Sequence, residues 1–150
     1  MLIFVHLILP TQLGNSMKIE VILLDGQQLQ ANFGSHSIIS DQSISAGGTE
    51  QYPEPFEYFL ASMPLCAGFY IRKFCEQRDI STDGIKITQE NFSIDDADHY
   101  KKKIAISVQI PEHFPAKYHK ALIAAANTCT VKKVIQALPE FEISIAEQDS

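Results

Sequence analysis

Three cysteines, Cys66, Cys75 and Cys129, are the side chains of this 150-residue chain best suited to covalent chemistry. A thiol attacks only as the thiolate, so its surroundings decide whether it reacts. Free cysteine is also among the most buried residue types, and Cys75, late in an apolar stretch, reads as a core residue. Cys66 stands apart from it. Pro64 interrupts the stretch just before it, and the small residues Ala67 and Gly68 follow, which would leave room for a substrate at the sulfur. Cys129 stands at the apparent start of a helix, where unpaired amides and the helix dipole should stabilise a thiolate and lower its pKa. Two such thiols can join in a disulfide if their elements meet, which requires Cα atoms within roughly 7 Å.

Composition bounds what else the chain can be. Three cysteines without a C-x-x-C pair form neither an even disulfide framework nor a structural zinc set, so a reducing cytoplasm and a metal-free protein are expected. The net charge of -6 argues against a broad nucleic-acid footprint. Lys101, Lys102 and Lys103 read as the solvated start of a strand. Met1 to Leu9 is apolar apart from His6, yet much shorter than the roughly 20 residues of a membrane helix. It has no basic flank and no A-x-A-like site, which makes a secretory signal a weak reading. Residues 1–16 are read as an upstream-start extension or flexible arm, and 17–150 as a single domain.

The elements that must position the thiols follow from periodicity. From Met17, Ile19, Val21 and Leu23 alternate as a strand into Asp25-Gly26, a strong hairpin signal, and Gln27 to Phe33 returns. After Gly34, Ser35 to Ser40 reads as a third strand. Asp41 to Pro55, with Gly47, Gly48, Pro53 and Pro55, is a loop. Phe56 to Gln77 is helical, and its apolar residues cover so much of the wheel that burial on nearly all sides is expected. Pro55 suits the first turn, whereas Pro64 lacks a donor inside the helix and should kink it beside Cys66.

Ile85 to Ile94 and Lys103 to Ile110 alternate as a second hairpin around Asp95, Asp96 and Asp98. A helical stretch carrying Tyr118, Leu122, Ala125 and Ala126 breaks at Asn127-Thr128. Either of these can cap a following helix, Cys129 to Leu138, with Val131, Val134, Ile135 and Leu138 inward. Phe141, Ile143 and Ile145 alternate as a last strand.

The run Pro55-Phe56-Glu57-Tyr58-Phe59-Leu60-Ala61-Ser62-Met63-Pro64-Leu65-Cys66-Ala67-Gly68 resembles the signature of the OsmC/Ohr family (osmotically inducible protein, organic hydroperoxide resistance). There a proline and an acidic residue open a buried helix that carries the peroxidatic cysteine. Asn127-Thr128-Cys129-Thr130-Val131 looks like that family's resolving-cysteine turn, and its distance from Cys66 is similar to the family's spacing. His36 to Gln42 followed by Gly47-Gly48 resembles the approach segment of one branch. The resemblance runs from about Met17 to Ala146.

It implies an α+β fold of antiparallel sheets packed on the cysteine-bearing helix, in an intertwined homodimer with no cofactor. It also implies a reaction with organic hydroperoxides or hydrogen peroxide, in which Cys66 becomes a sulfenic acid, Cys129 closes a disulfide and an external dithiol reduces it. Phe56, Phe59 and Phe69 would suit an alkyl tail, and equally a plain core.

The chain also departs from the family. The early strands hold no arginine, where the family's peroxidases use one with a glutamate to hold the thiolate. His36 is the imidazole of that region, or a strand-end surface residue. Glu57 stands one position after the usual glutamate, which on a helix is a rotation of about 100°. It is either a site acid or a first-turn acid favoured by the dipole, with Glu54 as a substitute. Thr130 replaces the usual proline. Arg72 and Arg78 read as helix-end cations. The alternative function is a non-catalytic protein of the same fold that binds an apolar ligand or senses oxidants through the same thiols.

Overall fold

The computed structural model describes residues 17–146; the extension read over 1–16 lies outside the described residues, as do the last four positions. The chain divides between Glu57 and Tyr58 into two compact units.

The first unit is an antiparallel meander of β1 (Glu20–Leu23), β2 (Leu29–Phe33) and β3 (His36–Ser40). The Asp25-Gly26 signal is realised as a turn closed by Leu24 N–H to the Gln28 carbonyl at 2.9 Å. Gly26 takes φ 64° there, a conformation that costs glycine little. The loop after β3 is organised by the fully buried Asp41. Its carboxylate accepts the Thr49 hydroxyl and the backbone N–H groups of Gln42, Thr49 and Gln51. A side chain at Gly48 could not fit, because a Cβ would lie 2.0 Å from the Gln42 carbonyl oxygen.

This loop delivers the chain into α1 (Pro55–Glu76). Pro55 occupies the first turn, where its missing N–H has no partner to lose. The Glu54 N–H donates to Glu57 Oε2 at 2.8 Å, and the Glu57 N–H returns to the Glu54 carbonyl at 3.0 Å. The first of these is the side-chain half of a capping box; the second is a backbone turn.

The second unit contains α1 from Tyr58 onward, the antiparallel hairpin of β4 (Lys86–Ser93) and β5 (Lys102–Gln109), α2 (His119–Ala126) and α3 (Thr130–Gln136). Its core joins Ile71, Phe74 and Cys75 of α1 to Phe114 and Leu122, with Ile87 and Val108 of the hairpin packed against them. The small residues after Cys66 serve this packing. Ala67 is buried, and a Cβ on Gly68 would come within 3.1 Å of Ile87 Cδ1.

Burial of α1 is one-sided in the single chain, contrary to the sequence expectation. Met63, Ala67, Ile71, Phe74 and Cys75 form the covered stripe, whereas Phe56, Phe59, Leu65 and Phe69 are exposed. One sheet and two short helices provide one surface, and a helix can turn only one stripe toward it. Arg78 ends the helix as foreseen, donating to the Phe74 carbonyl at 3.1 Å while its guanidinium lies 3.9 Å from the centre of the Phe74 ring.

The last strand is the clear correction. Residues 141–145 have no regular structure, and Phe141, Ile143 and Ile145 are 89%, 97% and 98% exposed. Alternation prepares a two-faced ribbon, but a strand forms only against a neighbour that pairs its backbone groups. Among the described residues, β5 pairs only with β4.

Candidate functional site

Pro64 does not interrupt α1, which runs as one element past it. Proline removes the N–H that would reach the Leu60 carbonyl four residues back. That carbonyl is instead taken by Gln89 Nε2 from β4 at 3.1 Å. Gln89 was missed at the sequence level, although a polar residue on the inner face of an alternating strand is a legible sign.

Cys66, half-buried, lies within α1 two residues after Pro64, and the start of α3 brings Cys129 against the same helix at Met63. Neither Asn127 nor Thr128 caps α3, again unlike the expectation. The Thr128 hydroxyl donates back to the Ala125 carbonyl at 2.6 Å, and Asn127 Oδ1 accepts from Lys132 Nζ. Cys129 itself is the cap: its sulfur accepts the Lys132 N–H at 3.4 Å, and its own proton faces the Met63 carbonyl at 3.9 Å. Of the residues expected to face inward on α3, Val131 and Ile135 are half-covered, while Val134 and Leu138 are exposed.

The two thiols lie near enough to shift each other's titration, and they titrate in opposite directions. Burial pushes the Cys66 thiol up, but the N–H of Val131, the Cys129 thiol and the N–H of Thr130 together outweigh it and lower the pKa. Burial pushes Cys129 up, and the adjoining Cys66 adds to that rise against the opposing Lys132 and Val131 amides. The first-turn amides of α3 thus lower the pKa of Cys66, whereas that of Cys129 is raised, contrary to expectation. Cys129 sits at the start of α3 but is buried, while Cys66, on another helix, feels the two first-turn amides of Thr130 and Val131. An arrangement of one thiolate-prone sulfur beside one proton-bearing sulfur suits nucleophilic attack by the first and disulfide closure by the second.

Cys75 is fully buried, with its pKa raised by that burial against the opposing charge of Arg78. About 13 Å of helical rise separates it from Cys66, beyond disulfide reach.

A cavity of about 270 Å³ adjoins Cys129 and is lined mainly by aliphatic side chains, among them Met63, Ile104, Ile106 and Ile123. No phenylalanine lines it. Phe69 borders a separate open cleft with Leu65, Arg72 and Ile87. Phe56 and Phe59 belong to neither cavity, and both are exposed.

In the first unit, His36 lies exposed at the start of β3, its ring 6.0 Å from that of Phe33. Glu57 is engaged at the helix start and Glu54 accepts the Ser43 N–H at 3.0 Å. Among the described residues no group of three or more His, Cys, Asp and Glu side chains is placed to hold a metal ion. No helix among them is long and apolar enough to cross a membrane.

Residues 48–144, more than half the chain, match the family model described as OsmC-like protein. No curated protein matches the sequence. Solved structures do resemble it. A Psychrobacter arcticus 273-4 protein, provisionally named an osmotic stress induced and detoxification response protein, aligns with TM-score 0.65 at 16% identity, over 83% of this chain and 91% of that one. An OsmC-like protein from Mycoplasma pneumoniae gives TM-score 0.62 at 12% identity, over 84% and 91%. An organic hydroperoxide resistance protein OsmC from Legionella pneumophila gives 0.57 at 18% identity, over 83% and 92%. At these identities the likeness is one of fold.

Proposed function

This chain belongs to the OsmC-like family, and on that premise we propose that it is a thiol-dependent peroxidase acting on organic hydroperoxides or hydrogen peroxide in oxidative stress defence. The observation that carries the reading is the placement of Cys129 at the start of α3 against α1, where it and the first-turn amides lower the pKa of Cys66 while its own pKa is raised. The Cys66 thiolate attacks one peroxide oxygen. The O–O bond breaks, the alkoxide leaves and is protonated to the alcohol (water, for hydrogen peroxide), and Cys66 holds the sulfenic acid. Cys129 then attacks that sulfur, a water molecule departs and the disulfide forms. An external dithiol returns both cysteines to thiols, so each turnover converts hydroperoxide and dithiol into alcohol, water and disulfide.

The family's arginine has no counterpart in the early strands, and the backbone amides of Thr130 and Val131 supply the thiolate stabilisation in its place. Glu57 acts chiefly at the helix start, where one carboxylate oxygen is already engaged. The protein works as a homodimer in a reducing cytoplasm. The exposed apolar face of α1, with Phe69 54% exposed, and the unpaired ribbon 141–145 are surfaces that a second copy would cover.

A second reading, a binding protein or oxidant sensor that does not turn over, is favoured by the aliphatic cavity beside Cys129. One experiment separates the two. The reduced protein is mixed with cumene hydroperoxide or hydrogen peroxide and a dithiol, and consumption is compared with that of Cys66→Ser. Consumption no faster than with the variant ends the peroxidase reading and leaves the binding one.

A further inference from the structure

We infer that Tyr70 and Thr130 form a positioning pair that holds Cys129 against Cys66 for disulfide closure. The proposal rests on the thiol-pair reading of the site, though not on peroxide turnover. Tyr70 lies one helical turn after Cys66 on α1, on the same face, where residues four apart are neighbours. Thr130 is the first residue of α3 and follows Cys129 directly. The two hydroxyl oxygens are 2.8 Å apart. Each end of this hydrogen bond is thus one turn or one peptide unit from a sulfur, and the bond ties the helix of one thiol to that of the other. The Tyr70 ring is itself seated edge-on against Phe69, with centroids 5.3 Å apart.

Such a tie matters because the start of α3 is weakly held by its own structure. The helix has seven residues, fewer than the roughly 12–15 at which an isolated helix becomes even marginal, so tertiary contacts set where its first turn sits. Proline, which the family usually carries after the resolving cysteine, would fix that turn through its ring and is favoured at a first helical position. Threonine gives up the covalent restraint. It brings a hydroxyl, and the hydroxyl finds α1. The substitution that looks like a lost motif residue is therefore one half of a contact restraint between α1 and α3.

Disulfide closure reads this directly and needs no peroxide. With glutathione disulfide as oxidant, Cys66 and Cys129 lose two electrons and two protons, the Cys66–Cys129 bond forms, and two glutathione molecules are released. The equilibrium constant is measured by thiol counting and mass spectrometry for the full chain and for Tyr70→Phe, Thr130→Val and Thr130→Ser, with urea unfolding of each reduced protein alongside. Tyr70→Phe and Thr130→Val should each disfavour closure by roughly two- to tenfold, the range of one net hydrogen bond. The double variant should lose no more than either single one, and Thr130→Ser, which keeps the hydroxyl, should retain the parent value.

Unchanged equilibria in the single variants, or shifts that simply multiply in the double variant, would overturn the proposal. So would a parent chain that forms no Cys66–Cys129 disulfide. A parent that closes normally but consumes no hydroperoxide would sink the peroxidase reading alone and leave the positioning pair standing.

Discussion

The bond between Gln89 and the Leu60 carbonyl invites a double-mutant cycle. In an α-helix that carbonyl would receive the N–H of residue 64, which proline lacks, and Gln89 Nε2 at 3.1 Å stands in for it. Gln89→Ala removes the side-chain donor from this carbonyl. An unsatisfied buried acceptor costs about 1–3 kcal/mol, and because Leu60 is half-buried, water offsets part of this and about 1–2 kcal/mol is expected. In a protein of this size that lowers Tm by roughly 2–8 °C. Packing lost with the side chain adds to the measured value but cancels in the cycle. In Pro64→Ala the restored N–H can take the Leu60 carbonyl, so Gln89→Ala should cost about 1 kcal/mol less in that background than in the parent. Urea unfolding of the four proteins, followed by circular dichroism, gives the coupling. Costs that add within about 0.5 kcal/mol would refute the claim that Gln89 compensates for Pro64.

Iodoacetamide alkylation against pH should place the Cys66 thiolate below the ordinary cysteine range near 8.5, and Cys129→Ala, which removes one stabilising donor, should move that midpoint upward. An unshifted midpoint would show that the neighbouring thiol contributes nothing. Asp41 titrates at about 2 instead of 3.8, held down first by the Thr49 hydroxyl against the effect of burial, and then by three backbone amides. Its folded value is depressed, so its stabilisation is complete above its ordinary value and disappears as pH falls from 3.8 toward 2. Asp41→Asn should therefore be less stable than the parent at neutral pH, with the difference shrinking across that window in acid unfolding curves. Leu122→Ala, at a fully buried core position, should cost about 2–5 kcal/mol in urea unfolding. A cost below 1 kcal/mol would mean that α2 is not packed as described.

Most of the fold was legible because its signals are local. Alternation and Asp25-Gly26 specify the first hairpin, Pro55 marks the start of α1, and the break at Asn127-Thr128 separates α2 from α3. The ribbon at 141–145 carried the same local signal and formed no strand, since pairing depends on a neighbouring edge that no local pattern supplies. The sequence likewise singled out Cys66 and Cys129 and set Cys75 aside, from helix context and the likeness to a known motif. The likeness ranked Cys66 as the attacking thiol, whereas the helix-start reading of the residues alone favoured a lowered pKa at Cys129. A helix start is visible in the residues, but which sulfur its amides face is a matter of packing between distant segments, and that packing gives the amides of Thr130 and Val131 to Cys66 and burial to Cys129. The choice of candidate thiols thus lies in the sequence, whereas the direction in which each titrates is decided by tertiary structure, because a pKa responds to whatever group stands nearest in space.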